Sequence, residues 1–262
     1  MTKTVLVLAP HPDDAEYYAG GTLTQMIAAG DRVLIAIVTD GSKGSYEHPA
    51  AELAKLRQAE AQNAAKTLGA EPPIFLGYTD LELDLLPPGT LRERFVRLIR
   101  QYRPDVVIAE DCFANGEDHP DHRAVSWAAS DAIRYAMLPN LYPEQLNEGL
   151  KTFVVTEKYF YSEDPKQFNK VIDVTNTFEQ KMAALLEHKT QITFMVQEIL
   201  NQAHQAGVDV KAALGDIADD PAALMTLGMR MMAANMGAPQ GIELGEGFRY
   251  ERYHPLVESF LS

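Results

Sequence analysis

Two short clusters combine histidine with carboxylate: HPDDAE at residues 11–16 and HPDH at 119–122. His11, Asp14 three positions on, and the distant His122 supply two imidazoles and one carboxylate. Three protein ligands of mixed N/O type leave a coordination position for water. Such a set is a common choice for catalytic zinc and also suits iron, cobalt or nickel. A water polarised there becomes a nucleophile at neutral pH. Asp13 or Glu16 could take its proton, while His119 could stabilise an oxyanion or protonate a leaving amine. The bland alternative is that Asp13, Asp14 and Glu16 cap the following helix and that His119 and His122 lie in a solvated first turn. His48, His204 and His254 are isolated in polar surroundings and carry no such pattern.

The clusters need a scaffold that brings them together. The first follows Thr4 to Ala9, an apolar and β-branched run expected to be a strand buried on both faces, and Gly20-Gly21 leads into a helical pattern at Leu23, Met26 and Ile27. Strands are also expected at Arg32 to Thr39, Ile74 to Leu76 and Asp105 to Ala109, with helices at Ala50 to Gly69 and Leu91 to Tyr102 between them. A helix from about Pro120 to Met137 follows the second cluster, with strands at Thr152 to Tyr161 and Val171 to Val174 beyond it. Asp173 and Thr175 are candidate caps for the next helix. This alternation gives an α/β class, a Rossmann-like, mostly parallel sheet with helices on both faces. In such sheets ligands bind beyond the carboxyl ends of the strands, where both clusters fall.

A single domain over residues 1–262 is expected: a core of about 1–190, a Met-rich helical extension of about 191–240 and a tail at 241–262. Met225, Met229, Met231, Met232 and Met236 fill core gaps or a subunit contact, or else form a flexible wall over the site. The tail, with GIELGEGFRYERYHPL, reads as irregular. A formal charge of −14 opposes nucleic acid and anionic membranes and favours a neutral, polyhydroxylated ligand. The single Cys112 precludes an internal disulfide, and no signal-like segment opens the chain, so a cytoplasmic setting is expected. No apolar run approaches the roughly 20 residues that a membrane span needs.

HPDDAE (11–16), GGTL (20–23), LRQAEAQNAAKTLG (56–69), LGYTDLEL (76–83) and HPDHRAV (119–125) together resemble the PIG-L/LmbE-type family of metal-dependent N-deacetylases. EHKTQI and GEGF (245–248) extend the likeness weakly. The resemblance implies zinc ligands at His11, Asp14 and His122 and a general base at Asp13. It implies an assisting imidazole at His119 that Asp121 orients, and sugar contacts at Arg57 and Asp80. The plain readings of the last two are an ion pair of Arg57 with Glu60 and a turn residue. Where some members carry a tyrosine, two residues before the first histidine of HPDH, this chain has Glu117, and the stretch of about 197–240 matches none of them. The implied activity is a zinc-dependent hydrolase that frees acetate and an amine from an N-acetylglucosamine-type substrate, in a homo-oligomer. Rivals are an amidase of the same chemistry that acts on a larger, mycothiol-conjugate-like amide and a non-catalytic sugar-binding protein. The missing GxGxxG after the first strand argues against a dinucleotide site.

Overall fold

The structure is a computed structural model that describes residues 2–253 and 255–260. Strands β1 (Thr4–Ala9), β2 (Arg32–Thr39) and β3 (Ile74–Tyr78) alternate with helices α1 (Asp14–Ala28), α2 (Ala50–Leu68) and α3 (Thr90–Tyr102). Next come β4 (Val106–Glu110), α4 (Pro120–Tyr135), the short α5 (Pro143–Asn147), β5 (Glu157–Tyr161) and β6 (Lys170–Asp173). The chain continues through α6 (Phe178–Leu185), α7 (Lys189–Gln205), α8 (Val210–Leu214), α9 (Pro221–Gly237), β7 (Gly245–Glu251) and α10 (Pro255–Glu258). The strands form one sheet in the order β3-β2-β1-β4-β5-β7-β6. The first five are parallel, and β7 runs antiparallel between β5 and β6. It is therefore the mostly parallel α/β sheet with flanking helices that the sequence implies.

The parallel strands are continuous apolar runs because both of their faces are covered. Leu6, Leu8, Val107 and Ala109 face the core under α3 and α4, whereas Val5, Val7, Val106 and Ile108 join the core that contains Ala15, Ala19 and Leu23 of α1. A third core, built on Phe178, Met182, Ile192, Met225 and Met229, ties α6, α7 and α9 together. Of the methionine stripe, Met225 and Met229 are thus core filling, while Met231 and Met232 are exposed.

Four expectations need correction. Helix α1 starts at Asp14, before the glycine pair. A Cβ on Gly21 would lie 2.7 Å from Val174, so glycine is there to let another segment approach mid-helix. The segment expected as a strand over 152–161 is extended and paired only from Glu157. The tail holds a strand, β7, rather than irregular chain. Helix α6 begins after Thr177, and Asp173 instead accepts from the backbone and hydroxyl of Thr175 in a local turn. Among the described residues no helix is long and apolar enough to cross a membrane.

Candidate metal centre and active site

Sheet order places the centre. β1 lies between β2 and β4, so the chain leaves β1 toward one side of the sheet and returns on the other, which opens a crevice between their carboxyl ends. His11, Asp13 and Asp14 follow β1; His119, Asp121 and His122 begin α4 after β4. All except Asp121 line one cavity of about 450 Å³, together with Arg57 and Asp80.

The two clusters interlock around a triangle of atoms. His11 Nδ1 lies 3.1 Å from His122 Nε2. Asp14 Oδ2 is 3.5 Å from the first and 3.6 Å from the second. Tetrahedral donors at roughly 2.0–2.1 Å from zinc stand about 3.3 Å apart along each edge, so the triangle fits such an ion. Two ring nitrogens that face each other need a shared cation, or a proton, between them. The electrostatics say the same. Burial works against charge on His122, yet Asp14 and Glu110 outweigh it and push its pKa up to about 9. Asp14 is also buried, but His122 and His11 hold its carboxyl well below the usual range. The expected ligand set His11, Asp14 and His122 is therefore brought together.

Each imidazole has a carboxylate behind its far nitrogen. His11 Nε2 is 3.2 Å from Asp121 Oδ2 and 3.2 Å from Asp80 Oδ1. His122 Nδ1 is 2.8 Å from Glu110 Oε2. Such partners fix the ring orientation and tautomer and make a metal-ligating histidine more basic. Glu110, the last residue of β4, is 1% exposed, and burial raises its pKa to about 8. Sequence reasoning passed over it. The available signal was a carboxylate that ends a wholly apolar strand on the ligand-binding edge. If the triangle holds a divalent metal, Glu110→Gln is expected to weaken its binding by roughly 10–100-fold, measured by competition with a chromogenic chelator. Unchanged affinity would show that Glu110 does not support His122.

Asp13 stands apart from the triangle. Its backbone adopts φ 126° and ψ −27°, a conformation that costs a non-glycine residue of order 1–3 kcal/mol. Arg57 from α2 holds it there, donating Nη2 to Asp13 Oδ1 at 2.8 Å and to Pro12 O at 2.7 Å, and Nη1 to Gly41 O. Burial lifts the Asp13 pKa to about 6 against the pull of Arg57. The expected pair of Arg57 with Glu60 does not form; Glu60 instead accepts from the backbone and hydroxyl of Thr190. Arg57 thus positions Asp13 through Nη1 and Nη2, while it also lines the cavity and its buried Nε has no partner among the described residues.

Asp80 and Asp121 make contacts that the sequence did not indicate. Asp80 Oδ2 accepts from Lys43 N, and its other oxygen meets His11, so it reaches the centre as well as lining the cavity. Asp121 is fully buried, with its carboxylate accepting from Leu81 N and Leu83 N. The hydrogen bond that fixes His119 comes instead from the Asp121 backbone N–H, which donates to His119 Nδ1 at 3.2 Å. That bond leaves the proton of the neutral ring on Nε2. Burial, then the neighbouring His11 and His122, holds the His119 pKa below the ordinary imidazole value. Glu117 accepts from His119 N and therefore supports the loop.

No carboxylate of the first cluster makes a side-chain helix cap: Asp13 holds the N-cap position without such a bond, and Asp14 accepts from His11 N. Glu16 faces away from the triangle to His188, which is buried at 3.4 Å. His188 falls within EHKTQI and also escaped the sequence reading. His48 pairs with Glu52 on the surface, and His254 lies outside the described residues.

A family profile described as GlcNAc-PI de-N-acetylase matches residues 6–133, which span both clusters. The diacetylchitobiose deacetylase of Thermococcus kodakarensis is 32% identical over 202 residues, covering 75% of this chain and 73% of that protein. A probable N-acetyl-α-D-glucosaminyl L-malate deacetylase 2 of Bacillus cereus is 24% identical over 76% of this chain and 88% of its own. Among solved structures, N,N'-diacetylchitobiose deacetylase from Pyrococcus horikoshii superposes with a TM-score of 0.79 at 28% identity, over 98% of this chain and 88% of that one. By this breadth of similarity, the chain belongs to the PIG-L family, with its LmbE-like fold.

Proposed function

We propose that the protein hydrolyses the N-acetyl group of an N-acetylglucosamine-type sugar or conjugate, releasing acetate and a free amine. The observation that carries this reading is the triangle of His11 Nδ1, His122 Nε2 and Asp14 Oδ2, with Asp13 and His119 lining the same cavity. The names of the Thermococcus, Bacillus and Pyrococcus relatives support the substrate class.

His11, Asp14 and His122 would hold a divalent ion, zinc by donor type and spacing. When bound, such an ion supplies Lewis acidity and lowers the pKa of a water from 15.7 to about 7. The Asp13 carboxylate, fixed through Oδ1 by Arg57, takes the proton of the attacking water. As the water oxygen joins the acetyl carbon, His119 Nε2–H donates to the developing oxyanion. The carbon–nitrogen bond then breaks, acetate forms, and the proton held on Asp13 passes to the departing amine. Asp80, Asp121 and Glu110 orient the two imidazoles throughout.

Acetate release from N,N'-diacetylchitobiose is expected to stop on treatment with dipicolinate and to return with added zinc. His122→Ala protein is expected to purify without stoichiometric zinc in elemental analysis. Turnover that survives complete metal removal would overturn the reading. Acetate as product also separates this activity from cleavage of a larger amide.

A further inference from the structure

The catalytic cavity adjoins a second space of about 730 Å³. Tyr17 and Tyr18 line both and so form the wall between them, with Ser162 and Glu163 at the junction. Met229, Met232 and Met236 of α9 enclose the second space together with Phe168. Lys181 and Glu246 also border it, but their charges are paired with each other at 2.7 Å. Flexible methionine side chains beside aromatic rings suit an unbranched alkyl chain.

Packing holds the wall in place. Tyr18 follows Asp14 by one turn of α1 on the same face, and a helical side chain leans back over the turn that precedes it. Its ring stacks on that of Tyr161 at 4.5 Å and 10°, and Tyr17 packs edge-on against it at 4.8 Å and 70°. Tyr161 ends β5 opposite Glu110 and is 1% exposed, so the stack rests on the core. Tyr17 donates its hydroxyl to Met232 Sδ at 3.5 Å, which ties the wall to α9.

To be attacked, the acyl carbon of a substrate must lie beside the triangle of His11, Asp14 and His122. The acyl substituent is then the part that meets the residue one turn beyond Asp14. We infer that the Tyr18 ring, clamped on Tyr161, restricts the acyl group to acetyl, and that without this ring the catalytic cavity opens into the methionine-walled space, where a hexanoyl chain fits. The inference rests on the deacetylase reading for its chemistry, which is unchanged: water adds to the acyl carbon, the carbon–nitrogen bond breaks, and a carboxylic acid and a free amine result.

The test compares kcat/KM for amine release from N-acetyl-, N-butanoyl- and N-hexanoylglucosamine in wild type, Tyr18→Phe, Tyr18→Leu and Tyr18→Ala. Wild type is expected to favour acetyl over hexanoyl by roughly 100-fold. Tyr18→Phe keeps the ring and is expected to keep that ratio. Tyr18→Ala is expected to raise the hexanoyl-to-acetyl ratio by roughly tenfold or more, and Tyr18→Leu, which retains an apolar contact to Tyr161, to raise it by less. Met232→Trp in the Tyr18→Ala background fills the second space and should take the gain back. A wild type that cleaves the hexanoyl amide as fast as the acetyl one would overturn the wall. So would folded, zinc-loaded Tyr18→Leu and Tyr18→Ala proteins that keep the wild-type ratio, a Tyr18→Phe protein that loses it, or a gain that persists after Met232→Trp. If no protein releases amine from any of the three amides, the deacetylase reading fails, and calorimetry with N-hexanoylglucosamine decides the wall separately. Binding at least tenfold tighter to zinc-loaded Tyr18→Ala than to wild type supports it; equal affinities overturn it.

Discussion

Asp13→Asn is expected to lower kcat for acetate release by roughly 10²–10⁴-fold while leaving the zinc content unchanged. Asparagine keeps the size of the side chain and an oxygen to accept from Arg57 Nη2, so the buried guanidinium retains that partner. It also tolerates positive φ better than most residues, and the strained backbone at φ 126° therefore survives the exchange. What it lacks is basicity. An amide cannot take a proton from water and return it to the amine, so both halves of the reaction slow while the triangle of His11, Asp14 and His122 stays intact. Two measurements decide the matter together, single-turnover rate and elemental analysis. A variant with wild-type kcat refutes Asp13 as the base; one that loses its metal shows that Asp13 instead supports the ligands.

The separation between ligands and support explains what could be read from the sequence. The proposed ligands are legible because His11 and Asp14 are neighbours and HPDH repeats their chemistry after another buried strand. Their supports lie far apart in the chain. Glu110 ends β4, Asp80 sits in the loop after β3, and Asp121 reaches across to Leu81 and Leu83. No local spacing encodes those approaches. His188 is more remote still, brought beneath Glu16 only by packing of the segment between α6 and α7. Arg57 was legible as a residue, but its partner was not, since the i,i+3 rule points to Glu60 while the fold delivers Asp13.

Strands divide along similar lines. TVLVLA, RVLIAIVT and DVVIA are uninterrupted because parallel strands are covered on both faces, and that signal is local. GEGFRYE hides its strand behind two glycines. Those glycines answer to tertiary contacts: a Cβ on Gly245 would lie 2.6 Å from Val171, and one on Gly247 would collide with the Phe168 ring. Glycine in a strand often marks such an approach, but the sequence does not say of what. The same holds for Gly20-Gly21, read as a helix start and found mid-helix.

These two glycine motifs meet, and their meeting carries the largest expected stability effect. Glu246 of β7 is buried against α1, where its carboxylate accepts from Gly21 N at 2.9 Å and Thr22 N at 2.8 Å. Lys181 of α6 donates to the same carboxylate at 2.7 Å, with side-chain exposures of 4% and 3%. One carboxylate thus ties β7, α1 and α6 together, and α1 begins at the proposed metal ligand Asp14. Glu246→Ala leaves Lys181 as an unpaired buried cation, which costs about 3–5 kcal/mol. At roughly 2–4 °C per kcal/mol for a chain of this size, Tm is expected to fall by about 6–20 °C. Lys181→Met in the Glu246→Ala background should restore part of that loss, because it removes the stranded charge. The two α1 amides would still lack their acceptor, so recovery should be incomplete. If calorimetry finds the two effects additive, the ion pair contributes nothing through its charge and the junction is held by packing alone.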